Sequence, residues 1–103
     1  DWAEKNEIQL PKIPSYATNN AHMFYLVCKS LEQRSELIEH LKKNEILAVF
    51  HYLSLNSSPF YMEKHDDRNL IESDRYADCL LRLPLYYKVE TDFIIKKITE
   101  LWT

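Results

Sequence analysis

The residues best suited to binding chemistry lie in one stretch, Leu47–Tyr61, in which an apolar run passes into a polar one. The apolar half is typical of a buried strand. A strand that delivers polar side chains at its far end presents a binding surface from a rigid support. The polar half carries an imidazole, hydroxyls, a carboxamide and a proline, supplied by His51, Tyr52, Asn56, Ser57, Ser58 and Pro59.

Each of these side chains also has a purely structural interpretation. His51 could be partly buried and bonded to a neighbouring backbone group. Tyr52 could be a core aromatic rather than a ring that stacks on a ligand or hydrogen-bonds to it. Ser57 and Ser58 could be plain turn residues. The residues alone leave these alternatives open.

The other candidates for chemistry have weaker patterns. Cys28 and Cys79 each lie inside an apolar run, as small core hydrophobes do, with a disulfide or a catalytic thiol as the alternatives. His22, His40 and His65 have no partners at metal-ligand spacing, so no metal site is predicted. The chain contains no glycine, which excludes a glycine-rich phosphate loop.

Composition predicts one small domain with a real core, because 46% of the 103 residues are hydrophobic. The net charge of -3 gives no reason to expect nucleic acid or an anionic membrane as a partner. The sequence shows no signal peptide and no apolar run near the roughly 18 residues of a membrane span, so we expect a cytoplasmic location.

The first strand is expected at His22–Lys29. A helix follows that Ser30 caps, with Gln33 completing a capping box. Asn44 is the expected left-handed terminator, since no glycine is available. Arg34 is placed with the charged residues that face water. The inward stripe of this helix is expected to consist of Leu31, Leu37, Ile38 and Leu41.

Further on we expect a strand at Ile46–Tyr52, a helix at Ser73–Leu81 capped by its first residue, a strand at Leu83–Tyr87 and a helix capped by Thr91. This alternation suggests a parallel doubly wound sheet. However, Pro84 cannot donate to a ladder and a long irregular loop precedes it. An α+β arrangement, with helices on one face of a small sheet, is therefore also permitted.

Three segments together resemble one known family. They are Asn20–Tyr25, then Leu41–Tyr52 with Ser57–Pro59, and then Arg82–Tyr86. In their order and spacing the chain resembles the C-terminal part of the PLP-dependent nucleotide-sugar aminotransferases. Within that family it looks most like the dTDP-4-oxo-6-deoxy-D-glucose transaminases of surface-polysaccharide biosynthesis.

The resemblance implies a fold-type I homodimer whose large N-terminal domain carries PLP, its Schiff-base lysine and an aspartate at the pyridinium nitrogen. Residues 21–103 would be the C-terminal small domain, and residues 1–20 a connector from that missing domain. The resemblance favours the α+β fold, with a small antiparallel sheet covered by helices. Val49–Pro59 would close over the sugar nucleotide, with substrate contacts from His51, Tyr52, Asn56, Ser57 and Ser58.

Two positions depart from the family pattern. The family usually has glycine where this chain has Glu45, so Asn44 is expected to supply the left-handed turn. It usually has a second histidine where this chain has Asn56. Asparagine can hydrogen-bond but cannot titrate near neutral pH, which alters any acid–base role there.

The lysines of this chain do not lie in a motif of the family type, so the chain alone is expected to bind no PLP and to be inactive. The implied reaction of the parent enzyme moves an amino group from glutamate to the C4 ketone of a dTDP-4-keto-6-deoxyhexose. The alternative, from a different class, is a stand-alone small α/β module whose exposed apolar face binds a partner protein.

Overall fold

The computed structural model describes residues 1–19, 22–50 and 52–102. None of the described helices is long and apolar enough to cross a membrane. Short 3-10 turns span Leu55–Ser57 and Met62–Lys64. The helices and strands, in chain order, are α1 (Trp2–Lys5), β1 (Phe24–Val27), α2 (Leu31–Lys43), α3 (Ile71–Cys79), β2 (Leu80–Leu83) and α4 (Thr91–Glu100).

The sheet is small and antiparallel. β1 and β2 pair along their whole length, with Val27 opposite Leu80. Among the described residues, one bridge extends the sheet on each side, with Gln9 paired to Val27 and Val49 paired to Arg82. This arrangement confirms the α+β fold, and it excludes the parallel doubly wound alternative.

The core lies between one face of the sheet and the helices. Leu37 and Leu41 of α2 are fully buried, whereas Leu31, expected in the same stripe, is 42% exposed. Burying apolar side chains in this way supplies most of the stabilisation of a domain of this size. The buried cluster consists of Ala3, Ile8, Leu26, Cys28, Leu37, Leu41, Ile46, Ala48, Leu81, Ile94 and Ile98.

The strand expected at Ile46–Tyr52 is reduced to one bridge in its described part. Val49 exchanges two backbone hydrogen bonds with Arg82, of 3.1 and 2.7 Å. Such pairs recur at every second residue of an antiparallel ladder, so the next would join Leu47 to Pro84. Proline has no N–H to donate, and the ladder stops there.

The strand expected at Leu83–Tyr87 lies three residues earlier, as β2. The apolar run before Pro84 is the one that enters the core, where Leu81 is fully buried. Tyr86 and Tyr87, at the far end of the expected strand, are 65% and 88% exposed. The strand therefore ends before the proline.

The helix expected at Ser73–Leu81 is α3, which begins and ends two residues earlier. Its N-cap residue is Leu70, whose side chain makes no capping bond, so Ser73 is not the cap. Thr91 is likewise the first residue of α4 and not its cap, which is Glu90. Hydrophobic periodicity located both helices, but no side-chain cap fixes where they start.

The capping box of α2 is confirmed with one change of partner. The Gln33 N–H donates to the Ser30 hydroxyl at 3.1 Å. The Gln33 side-chain oxygen accepts from the N–H of Lys29, at 2.8 Å, where a standard capping box would use Ser30. The Gln33 amide nitrogen also donates to the carbonyl of Asn6 at 2.8 Å. One side chain thus starts the helix and ties it to the N-terminal segment.

Glu45, and not Asn44, supplies the left-handed residue that ends α2. The φ angle is -100° at Asn44 and 63° at Glu45. The N–H of Ile46 donates to the carbonyl of Leu41 at 2.9 Å, and that of Glu45 to Lys42 at 3.1 Å. These two bonds form a Schellman motif, which fixes the left-handed position one residue after the cap.

The first residues of the chain belong to the core. Ala3 and Ile8 are buried, and the indole N–H of Trp2 donates to the carbonyl of Leu101 at 2.9 Å. The Trp2 and Trp102 rings stack with centroids 6.2 Å apart. The expected role of this segment as a connector to another domain stays a prediction.

Candidate functional site

The candidate site is the segment of residues 47–61, which includes the bridge at Val49 and the 3-10 turn Leu55–Ser57 and is otherwise irregular in its described residues. His51, its central predicted residue, lies outside the described residues, and its role stays a prediction. Tyr52 is 73% exposed, which excludes the core-aromatic interpretation. The ring is therefore placed at the surface, where a ligand could reach it.

Ser54 anchors the middle of the 47–61 segment, a role that the sequence alone did not predict. Its side chain is buried and its hydroxyl donates to Asp74 Oδ1 at 2.8 Å. The Ser57 hydroxyl lies 3.3 Å from that of Ser54. Asp74 is in the first turn of α3, 20 residues away in sequence, so no local spacing signals this contact.

Arg34 holds the start of the segment, although we expected it to face water. It is only 7% exposed, and Nη1 donates to the carbonyl of Ala77 in α3. Its guanidinium carbon lies 4.5 Å from the centre of the Phe50 ring, a cation–π distance. A position on the rim of the α2 stripe becomes buried because α3 and the segment both pack over it.

The side chain of Asn56 has an unsatisfied hydrogen-bond acceptor. Its side-chain oxygen is buried and finds no hydrogen-bond donor within the described part of the chain. An unsatisfied buried acceptor costs about 1–3 kcal/mol. The predicted binding role of Asn56 stays a prediction.

Ser57 and Ser58 shape the turn that follows. The N–H of Ser57 donates to the carbonyl of Ser54 at 2.9 Å. The hydroxyl of Ser58 accepts from the N–H of Tyr61 at 3.2 Å. Both serines thus have structural roles of the kind that turn residues play, and their predicted contact with substrate stays a prediction.

Several large apolar side chains of this segment are exposed to solvent. Beside its start lies an open groove of ≈ 600 Å³, whose lining includes Leu47, Tyr86 and Phe93. Contiguous exposed apolar surface commonly marks an interaction site. The most exposed of these side chains are Leu47 at 74%, Tyr52 at 73%, Leu53 at 62%, Leu55 at 64% and Phe60 at 78%.

The remaining candidates have structural partners. His40 is half-buried, and its Nε2 lies 2.7 Å from the Lys97 carbonyl oxygen. His65 Nε2 lies 3.0 Å from the Arg68 carbonyl oxygen. Across residues 1–19, 22–50 and 52–102, no three metal-binding side chains come together.

The two cysteines are free thiols in the core. Cys28 and Cys79 are 2% and 6% exposed. Burial, and secondly the neighbouring Cys79 thiol, raise the pKa of Cys28 to about 11. Since the thiolate is the reactive form, a catalytic role for Cys28 does not fit this environment.

This geometry defines a small α+β domain that presents one anchored, partly apolar segment at its surface. Residues 1–101 match the DegT/DnrJ/EryC1/StrS aminotransferase family. The match spans nearly the whole chain, so the chain belongs to that family.

Solved structures show the same fold. The aminotransferase TlmJ from Streptoalloteichus hindustanus is 17% identical with a TM-score of 0.76, and the match covers 96% of this chain and 28% of that one. Spr1654 from Streptococcus pneumoniae, assigned as a sugar aminotransferase, is 23% identical with a TM-score of 0.80 in its PLP form. That match covers 96% of this chain and 27% of the other. NtdA from Bacillus subtilis with bound PMP is 19% identical with a TM-score of 0.75, and the match covers 94% of this chain and 23% of that one. The chain thus spans about a quarter of these structures.

The lysines of this chain do not provide an enclosed site for PLP. An imine to PLP needs a lysine held in a closed pocket beside a cradle for the cofactor phosphate. Here Lys97 is half-buried and paired with Glu100, at 3.2 Å, and every other lysine side chain is exposed. The residues described therefore do not fit the cofactor by themselves.

Proposed function

We propose that this chain is the C-terminal small domain of a sugar-nucleotide aminotransferase. Membership of the family, together with a span of about a quarter of the matched structures, carries the proposal. The remainder of the enzyme would hold PLP, the Schiff-base lysine and the second half of a homodimer. The enzyme would act in the cytoplasm, on the route to surface polysaccharides.

The proposed reaction transfers an amino group from glutamate to the C4 ketone of a dTDP-4-keto-6-deoxyhexose. The 47–61 segment would form one wall of the substrate site. Tyr52 is exposed for stacking on the sugar, and the buried oxygen of Asn56 lacks a donor within the described chain. His51, Ser57 and Ser58 complete the proposed contacts.

The alternative of a stand-alone interaction module is less well supported, because the chain belongs to the aminotransferase family and spans about a quarter of the matched structures. The exposed Leu47 and Phe60, at 74% and 78%, would suit an apolar docking face in either case. We propose instead that the missing part of the aminotransferase covers this surface.

The test uses His51→Ala and Tyr52→Ala in the complete aminotransferase. Each lost contact should raise KM for the sugar nucleotide roughly tenfold while kcat changes less, because the contact is made with bound substrate as well as with the transition state. Steady-state kinetics measure this, with Tyr16→Ala, at a position 91% exposed, as the control. Unchanged KM and kcat in both variants would refute the proposed site.

A further inference from the structure

We propose that Arg34 and Asp74 are positioning residues, which hold Phe50 and Ser54 in place on either side of the exposed Tyr52. The consequence of this positioning for substrate binding rests on the proposed function. The positioning itself can be tested without any substrate.

The environment of Arg34 is unusual for a buried cation. Its side chain is 93% removed from solvent, since 7% is exposed, and no carboxylate of the described residues forms an ion pair with it. Its nitrogen Nε has no partner there either. Two contacts hold the guanidinium. One is the Ala77 carbonyl near the C-terminal end of α3, where the helix dipole favours positive charge. The other is the face of the Phe50 ring.

Asp74 supplies the second anchor. It accepts from the buried hydroxyl of Ser54 at 2.8 Å. A hydrogen bond to an ionised carboxylate is shorter and stronger than one between neutral groups. Ser54 in turn precedes the 3-10 turn Leu55–Ser57, so its position sets where that turn begins.

The two anchors act on a very short piece of chain. Arg34 is on α2 and Asp74 on α3, and these two helices contact each other. Only residues 51–53 lie between Phe50 and Ser54 in the sequence. Since each residue spans at most about 3.5 Å, fixing both ends limits where the side chain of Tyr52 can reach. The anchors therefore restrict the position of Tyr52, one of the proposed substrate contacts.

Hydrogen exchange on the 103-residue chain tests this positioning. The amides of Ser57 and Ser58 are bonded within the 3-10 turn, and we expect Arg34→Met and Asp74→Ala to accelerate their exchange roughly tenfold or more. The matched controls are Arg68→Met and Asp66→Ala, which change an exposed ion pair and should leave these amides unaffected.

Conservative variants separate positioning from general destabilisation. Asp74→Asn keeps an acceptor for Ser54 and should restore slow exchange, whereas Arg34→Lys keeps the charge without the planar stack and should not. If Arg34→Met fails to fold, Arg34→Lys decides for that anchor. Exchange no faster than in the controls, or an equal acceleration at the amides of Leu37 and Leu41 in the α2 core, would overturn the proposal.

In the complete aminotransferase, Asp74→Ala should raise KM for the sugar nucleotide roughly tenfold with kcat within about twofold, and Asp74→Asn should restore it. Faster exchange with an unchanged KM would uphold the anchors and overturn the proposed substrate role of the segment. Unchanged exchange would overturn the anchors whatever the kinetics.

Discussion

The backbone of Glu45 adopts a left-handed conformation where α2 ends, and this conformation is unfavourable for a residue other than glycine. Its φ of 63° lies in the left-handed region, which costs a residue with a Cβ about 1–2 kcal/mol and glycine almost nothing. The cost is tolerated because the Schellman bonds and the burial of Ile46, 5% exposed, depend on that turn.

Replacing Glu45→Gly should therefore raise the free energy of unfolding by about 1 kcal/mol. Urea denaturation measures the change. The matched control is Glu36→Gly, an exposed position inside α2, where glycine should lower the free energy by about 1 kcal/mol. A loss of stability in Glu45→Gly would contradict this account of the helix end.

Cys28 makes the stability of the domain sensitive to high pH. Its pKa is raised by burial, and next by Cys79, from 9.0 to about 11 in the folded state. The folded protein therefore keeps the thiol proton more tightly than the unfolded chain does. The stabilisation is fully present below pH 9 and is lost as the pH rises toward about 11.

The free energy of unfolding should fall by about 2 kcal/mol more in the native sequence than in Cys28→Ala between neutral pH and pH 11. The difference between the two proteins matters, because tyrosines and lysines titrate over the same range in both. Denaturation curves across this pH range measure it. Parallel pH profiles would mean that the Cys28 pKa is not raised.

At the scale of elements, prolines limit how far the sheet extends. Val49 bridges Arg82, and the following pair cannot form because Pro84 has no N–H. On the outer side of β1, the bridge from Gln9 to Val27 is likewise followed by Pro11 two residues on. Among the described residues, each outer strand therefore contributes one bridge.

Pro84→Val should extend the ladder between β2 and the start of the 47–61 segment. The new N–H at position 84 can donate to the Leu47 carbonyl, so it should exchange roughly tenfold more slowly than an unbonded amide. Exchange at Leu47 should slow roughly tenfold relative to the native sequence. Pro59→Val, in an exposed turn, is the control. Rapid exchange at position 84 would show that something other than the missing donor ends the pairing.

At the scale of the whole molecule, the two ends of the described chain close on each other. Trp2 stacks on Trp102 and donates its indole N–H to Leu101, which brings α1 against the end of α4. Both rings are half-buried, and they pack against the same core as Ala3 and Ile8. The N-terminal segment is thus part of the domain that residues 22–102 form.

Trp2→Ala should lower the free energy of unfolding by about 2 kcal/mol or more. Because the indole is half-buried, its removal should cost roughly half as much as the removal of a fully buried aromatic side chain. Trp2→Phe keeps a stacking ring but not the indole donor and should cost about 1 kcal/mol. Thermal or urea unfolding measures both, with Tyr16→Ala as the exposed control. Wild-type stability in Trp2→Ala would mean that the N-terminal residues do not support the core.

The sequence by itself determined what depends on neighbouring residues. The Ser30–Gln33 capping pair, the α2 core residues Leu37 and Leu41 and the apolar face of α4 follow from spacings of three and four residues. The order of motifs likewise identified the family, and through it the α+β fold.

Only the tertiary structure decided what depends on residues far apart in the sequence. The choice of Leu80–Leu83 as the strand depends on its pairing with Phe24–Val27. The burial of Arg34 and the anchoring of Ser54 depend on α3 packing against α2 and the 47–61 segment. Neither Arg34 nor Ser54 has a local signal for burial, because their hydrogen-bond partners Ala77 and Asp74 are 43 and 20 residues away in the sequence.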